Sequence, residues 1–380
     1  MVYIYAFLGR LLLYPYLMFK LSRLLPDSLC RFIGRLFVLE FVLSTLTLCI
    51  HRFVMHDAMS MAMTINLYIF FALGYTTVFV MGLNVLQWLG ERLCGRRLSE
   101  WLSLRQRHGL DIFVALLAVV VSCSVLYYGQ RNGRDTIVHA YSVGDEAKPP
   151  LARIALVTDL HIGEGVGVEH VRQTVDLLMG LQPDAILFGG DYIDHDSKYA
   201  RDPRVMQEMR RLSAPDGVYF VLGNHEYRAD TLDNMQWVRD LGFTLLRDSI
   251  VYPEGAVYSI IGRDDYERNG TRASLPELIA QLKPRNYNIL LEHTPEGLDS
   301  LASTPIDVAL YGHTHAGQLW PYEHILKLKY DVPYGYAKRG DCSVIVSSGV
   351  GAAGTLFRIG TRSEIVLLTL YPKEHNGKRN

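Results

Sequence analysis

Near the C-terminal end of the chain, LYGHTHAGQLW (310–320) sets His313 and His315 two residues apart, behind an apolar run and a glycine. In an extended segment, residues i and i+2 point to the same side, so both imidazoles would face one site just past a strand end. A lone His-x-His pair is common and needs partners before it carries chemistry. Four other short apolar runs supply them. RIALVTDLH ends in Asp159 and His161, AILFGGDYID in Asp191 and Asp194, VYFVLGNHE in Asn224, His225 and Glu226, and NILLEH in His293. A single Asp after a strand is usually a helix cap, and a single His a core or surface residue, which is the reading for His139, His170, His195 and His324. Five strand ends all carrying Asp, Asn or His form the convergent set that a metal site requires.

Carboxylate, imidazole and amide-oxygen ligands without thiolate suit borderline ions such as Mn²⁺, Fe²⁺ or Zn²⁺. Two such ions about 3.5–4 Å apart would lower the pKa of a bridging water and clamp both ends of an in-line phosphoryl displacement. A carboxylate must bridge them, and Asp191 is the central candidate. His313 and His315 would then each serve a different ion. The elements that must position these side chains alternate between apolar strands and helix-period stretches such as VEHVRQTVDLLMG, the pattern of an α/β domain. Ligands of such domains gather outside the carboxyl ends of the strands.

The rest of the chain bounds the setting. Of its 380 residues, 38 are Lys or Arg and 39 are Asp or Glu, so no net basic field argues for nucleic acid. Residues 1–130 are apolar and read as an all-helical transmembrane region with four segments, about 2–19, 32–50, 61–89 and 112–128. The last two contain no charged residue. The first two carry Arg10 and Pro15, and Arg35 and Glu40, with an interfacial helix as the alternative for each. Glu40 is expected to pair with nearby Arg35. The loop with Lys20, Arg23 and Arg31 and the loop with Arg92, Arg96, Arg97, Arg105 and Arg107 would share the cytoplasmic side, whereas His51–Ser60 holds only Arg52. The chain after Tyr128 would then emerge on the exoplasmic side. A polar link and first strand (131–149), a catalytic domain (150–372) and a polar tail (373–380) follow.

The segments DLH (159–161), GDYID (190–194), GNHE (223–226), His293 and GHTH (312–315) resemble, in order, the five motifs of the calcineurin-like metallophosphoesterase superfamily. APDGVYFVLGNHEY, LEHTPE, YGHTHAGQLWP and VSSGVGAAGTLFRIG extend the likeness to its membrane-associated bacterial branch of YkuE/YaeI-like phosphodiesterases. The resemblance implies an α/β sandwich of two mixed β-sheets flanked by helices. It also implies a dinuclear centre. Asp159, His161 and His315 would hold one ion, Asn224, His293 and His313 the other, with Asp191 bridging. His225 would stabilise the transition state or protonate the leaving oxygen, oriented by Asp194, and Glu226 would support its loop. Arg358 would grip a phosphate or pair with a structural carboxylate. Tyr227, Arg228, Arg263, Asp264, Asp265 and Tyr266 lie where members differ and could shape substrate choice, with surface loops as the plainer reading.

The function expected from this set is a membrane-anchored, dinuclear metal-dependent phosphodiesterase or pyrophosphatase with a metal-bridging hydroxide as nucleophile. Its partners would be membrane lipids and a phosphoester substrate, lipid-linked or of the envelope, at a bacterial inner membrane. One alternative is a UDP-2,3-diacylglucosamine pyrophosphatase of lipid A synthesis, which needs a cytoplasmic catalytic domain. A second is a non-catalytic binding module on the same fold.

Overall fold

The computed structural model describes residues 2–22, 25–50, 57–228, 230–265, 268 and 270–373. Arg23, Arg52, Tyr266 and residues 374–380 of the expected tail lie outside them. The chain divides into two compact units, Met1–Gly129 and Gln130–Asn380. The first unit is helical: α1 (Val2–Leu21), α2 (Asp27–Ile50), α3 (Asp57–Cys94), the short α4 (Leu98–Trp101) and most of α5 (Leu104–Arg134). Among the described residues, three helical stretches are long and apolar enough to cross a membrane: Asp27–Ile50, Ala58–Cys94 and Leu104–Arg134. The helices overrun the apolar segments because hydropathy marks the part suited to lipid, not the hydrogen-bonded ends.

Glu40 does not pair with Arg35. Five residues apart on one helix, the two side chains point about 140° away from each other. Glu40 instead meets Arg10 of α1, Nη2 to Oε1 at 3.1 Å. The Tyr14 hydroxyl donates to Glu40 Oε2, and Ser44 donates to Oε1 at 2.6 Å. Arg10 also donates to the backbone oxygen and Oδ1 of Asn66, both at 2.7 Å. The buried Arg10 of α1 and the half-buried Glu40 of α2 thus satisfy each other, and Arg10 ties α1 to α3, as polar groups in an apolar setting must.

The second unit contains strands β1 (Ile137–Val143), β2 (Ala152–Val157), β3 (Ala185–Gly189), β4 (Val218–Val221), β5 (Thr244–Leu245), β6 (Ser249–Val251), β7 (Tyr258–Gly262), β8 (Tyr287–Leu291), β9 (Val308–Tyr311), β10 (Gly335–Arg339), β11 (Cys342–Val346) and β12 (Glu364–Leu370). They form two six-stranded mixed sheets, ordered β1-β12-β2-β3-β4-β5 and β10-β11-β9-β8-β7-β6. Side-chain alternation explains the layers. Ile154 and Leu156 of β2 face a core shared with Ile289 and Leu291 of β8 and Val308 and Leu310 of β9. Ala155 and Val157 face the other way, onto Val171, Val175 and Leu178 of helix α6 (Val168–Leu181). Burying each such Leu or Ile contributes about 1.5–3 kcal/mol. Helices α7 (Pro203–Met209) and α8 (Thr231–Asp240) cover the same face, and α9 (Leu275–Ile279) packs on the outer face of the second sheet. The remaining helix, α10 (Tyr322–Lys329), follows the His313–His315 turn.

Two segments differ from expectation. Residues 131–134, read as polar link, are the last turn of α5. Arg263, Asp264 and Asp265 are buried rather than on surface loops: Arg263 pairs with Glu292 at 3.1 Å, and Tyr227 donates to Asp264 at 2.6 Å.

On α6, His170 lies buried with Nε2 at 2.9 Å from the Val350 carbonyl. Burial pushes its imidazole down to about 4 from 6.5; the Val350 carbonyl opposes the shift, and Arg358 and Arg134 add to it. The fold therefore holds the neutral ring, while the unfolded chain takes up a proton first as pH falls. This contribution is complete above pH 6.5 and is lost on descending to about 4, a loss of about 3 kcal/mol. Chemical denaturation of the full chain in detergent should show a shallower stability slope across this window for His170→Gln than for wild type. Equal slopes would contradict the assignment.

Candidate metal centre

Strands β2, β3 and β4 are parallel neighbours in one sheet, and β8 and β9 in the other. The loops leaving these strands carry Asp159 and His161, Asp191 and Asp194, Asn224 to Glu226, His293, and His313 with His315. Each loop must turn sharply within two or three residues. Of nine described non-glycine residues with positive φ, five are expected ligands: Asp159 (55°), His161 (51°), Asp191 (52°), His313 (72°) and His315 (51°). Each such backbone costs about 1–3 kcal/mol and persists only where neighbours over-determine it. Here Asp159 N donates to Gly190 O at 3.0 Å, His161 N to Asp191 O at 2.9 Å, and Gly312 N to His293 O at 2.9 Å. Glycine is required at two close approaches. A Cβ on Gly223 would stand 2.3 Å from Asp191 Oδ1, and one on Gly312 would stand 2.4 Å from Asp159 Oδ2.

His313 and His315 reach the site by a different route from the one expected. Strand β9 ends at Tyr311, and the pair lies on a left-handed turn, not an extended segment. The turn sends the two rings to two different groups of donors.

One group is Asp159, His161 and His315; another is Asp191, His293 and His313; a third, His161, Asp191 and His225, overlaps both. In the first, His161 Nε2 lies 3.1 Å from His315 Nε2, and His315 Nε2 lies 3.5 Å from Asp159 Oδ1. In the second, His313 Nδ1 lies 3.3 Å from His293 Nε2 and 3.0 Å from Asn224 Oδ1. Asp191 Oδ2 stands between the groups, 3.3 Å from His293 Nε2 and 3.8 Å from His161 Nε2.

The donors fit a divalent ion. His293 Nδ1 faces the Gly189 carbonyl at 2.8 Å and so carries the ring proton. In the neutral ring its Nε2 is then a lone pair aimed at a carboxylate and another imidazole. His161 Nε2 likewise faces His315 Nε2 at 3.1 Å and the carboxylates of Asp159 and Asp191, each at 3.8 Å. Converging buried lone pairs of this kind call for a cation. The same imidazoles can instead take up protons beside the carboxylates: burial alone would raise the Asp191 carboxyl, but positive charge on His225, His293 and His161 outweighs it and holds it well below the usual carboxylate range.

His225 is held from both sides. Its Nδ1 lies 2.5 Å from the backbone oxygen and 3.2 Å from Oδ1 of Asp194, while Nε2 points toward Asp191 Oδ2 at 3.7 Å. Asp194 is therefore shared between His225 and His161. Glu226 accepts from the amides of Asp191 (2.9 Å), Ile193 (3.0 Å) and Gly223 (2.7 Å), which fastens the β3 loop to the β4 loop. Burial and Asp191 push its carboxyl up to about 7, against backbone amides that favour its charged form.

Arg358 differs from the phosphate-gripping role. It is fully buried, and its guanidinium donates to the carbonyls of Ser348, Gly349, Gly351 and His315. Backbone oxygens take its Nη1 and Nη2 donors, so Arg358 braces the centre instead. Sequence reasoning also missed the 347–351 segment that it holds; the only signal was the GVGAAGTLFR likeness. His139, His170, His195 and His324 join none of the donor groups found among the described residues.

Residues 152–317 match the family described as calcineurin-like phosphoesterase. The chain is 32% identical over 226 residues to an uncharacterized metallophosphoesterase of Helicobacter pylori, covering 58% of this chain and 60% of that protein. It is 28% identical over 233 residues to the uncharacterized metallophosphoesterase YkuE of Bacillus subtilis, covering 57% and 78%. A Bos taurus transmembrane protein with metallophosphoesterase domain is 29% identical over 282 residues, covering 67% and 62%. Residues 152–317 therefore form a domain similar to the calcineurin-like phosphoesterases, on a chain that spans about 60% of the length of the Helicobacter pylori relative and that has, among its described residues, three helices long and apolar enough to span a membrane.

Proposed function

We propose that the chain is a membrane-anchored, dinuclear metal-dependent phosphoesterase, a phosphodiesterase or pyrophosphatase. The observation that carries this is the placement of Asp191 Oδ2 between two groups of buried imidazole donors. Asp159, His161 and His315 would hold one divalent ion, and Asn224, His293 and His313 the other, with Asp191 shared. Mn²⁺, Zn²⁺ and Fe²⁺ all suit this donor set. Such ions, when bound, supply Lewis acidity to a phosphoryl oxygen and lower the pKa of water.

The chain's own residues do the rest. Asp194 fixes the His225 ring through Nδ1, leaving Nε2 directed into the site to deliver a proton to the leaving oxygen. Glu226 keeps the β3 and β4 loops in register, and Arg358 holds His315 from behind. The non-catalytic reading is disfavoured because the sequence retains every donor position of the five motifs. In a Mn²⁺-loaded full chain hydrolysing bis(p-nitrophenyl) phosphate, His225→Asn should lower kcat about 10²–10⁴-fold with metal uptake unchanged. No turnover by loaded wild type, or an unaffected His225→Asn chain, would refute the mechanism.

The membrane setting of the proposal comprises four helical spans within residues 1–130, a bacterial inner-membrane location and an exoplasmic catalytic domain acting on a lipid-linked or envelope phosphoester. Its support is the three long apolar helices, the basic 92–107 segment and the likeness to the bovine transmembrane relative. Reporter fusions after Asn380, one active only outside the cytoplasm and one only inside, should give signal from the outside reporter alone. Signal from the inside reporter would reverse the orientation and favour a UDP-linked acyl sugar as substrate.

A further inference from the structure

The bracing of the metal centre by Arg358 has an origin outside the loops that carry the ligands. Arg358 donates to His315 O at 3.2 Å, Ser348 O at 2.7 Å, Gly349 O at 3.1 Å and Gly351 O at 2.6 Å. The segment it grips lies along Asp159: Val350 N donates to Thr158 O at 3.0 Å, and Gly351 N to Asp159 O at 2.9 Å. Arg358 therefore supports Asp159 and His315, two donors of one group. Among the described residues no contact joins it to Asn224 or His293 of the other; its link to that group is indirect, through the His313 amide, which donates to Asp159 Oδ2 at 3.0 Å.

Arg358 is in turn fixed by the last turn of α5. Asn132 Nδ2 donates to Arg358 O at 3.4 Å. Ser363 N donates to Asn132 O at 2.9 Å, and Ser363 Oγ to Gly133 O at 2.8 Å. The backbone approach is closest at Gly133, where a Cβ would stand 2.4 Å from Leu356 C and 2.7 Å from Phe357 N. These residues belong to the same compact unit as the metal donors. A helix turn that shaped only the outside of the domain would not need a glycine pressed against the two residues before Arg358.

We infer that the last turn of α5, around Asn132 and Gly133, is a positioning element of the metal centre. Through Arg358 it sets Asp159 and His315, and hence the affinity of the first ion far more than that of the second, which Asp159 reaches only through the His313 amide. The inference rests on the two-ion reading above. It places the functional domain boundary within α5 rather than after it, so a fragment starting at residue 136 would lack part of its own metal site.

The test is Mn²⁺ titration of the metal-free full chain in detergent, followed by electron paramagnetic resonance. Wild type should take up two ions with a spin-coupled spectrum. Gly133→Ala suits a helix but must displace the Leu356–Phe357 backbone. It should bind one ion with little change, showing an uncoupled signal, and the other about 10–100-fold more weakly. Adding His293→Ala to Gly133→Ala should abolish the remaining tight ion, whereas adding His315→Ala should not. Ser363→Ala, which adds no volume, should weaken the same ion to a smaller degree and decides the matter if Gly133→Ala does not fold. Gly133→Ala or Ser363→Ala chains that bind both ions like wild type, or lose both alike, would overturn the inference. Wild type taking up fewer than two ions would instead overturn the two-ion reading, and the inference with it.

Discussion

Asp191 Oδ2 faces three imidazole nitrogens, His293 Nε2 at 3.3 Å, His225 Nε2 at 3.7 Å and His161 Nε2 at 3.8 Å, inside a site with almost no solvent. Most of the second unit can be understood as what is needed to keep that oxygen there. A buried carboxylate is costly unless positive charge and hydrogen bonds surround it. Its Oδ1 accepts from the His225 amide at 2.8 Å, and its own amide is taken by Glu226 at 2.9 Å. The three imidazoles come from three different strand ends, two in the first sheet and one in the second. The sandwich and the site are therefore one construction: only two sheets packed face to face, with parallel strands ending on one edge, bring those loops within reach.

That arrangement explains where strain is stored. Five of the expected ligand positions occupy left-handed backbone, and glycines at 223 and 312 admit the carboxylates of Asp191 and Asp159. Strain persists when the surroundings leave no alternative. Here the loops cross-brace one another by main-chain bonds, and Glu226 and Arg358 are a buried carboxyl and a buried guanidinium that each collect several backbone groups. The two play complementary parts: Glu226 gathers amides beneath Asp191, and Arg358 gathers carbonyls beneath His315.

Much of this was legible in the sequence, for a definite reason. Strands buried on both faces read as short apolar runs, and glycine with Asp, Asn or His directly after such a run marks a turn with a polar purpose. The strands at 152–157, 185–189, 218–221, 287–291 and 308–311 lie where those runs lie. What failed were inferences that depend on partners distant in sequence. The His313–His315 pair pointed to the right site for the wrong reason, because spacing does not distinguish a strand from a left-handed turn. An arginine can grip a phosphate or several carbonyls, and only the full burial of Arg358 decides between them. Glu40 found Arg10 rather than Arg35 because helical neighbours in sequence need not share a face. The stretch QRNGR reads as a linker, yet it ends a helix whose last turn is held by Ser363, more than two hundred residues away.

The central claim is that one carboxylate is shared by two ions. The most direct measurement is anomalous X-ray diffraction from crystals of the full chain grown with Mn²⁺. The account predicts two anomalous peaks about 3.5–4 Å apart, one against Asp159, His161 and His315 and the other against Asn224, His293 and His313, with Asp191 touching both. A single peak, or two peaks that do not share Asp191, would contradict it.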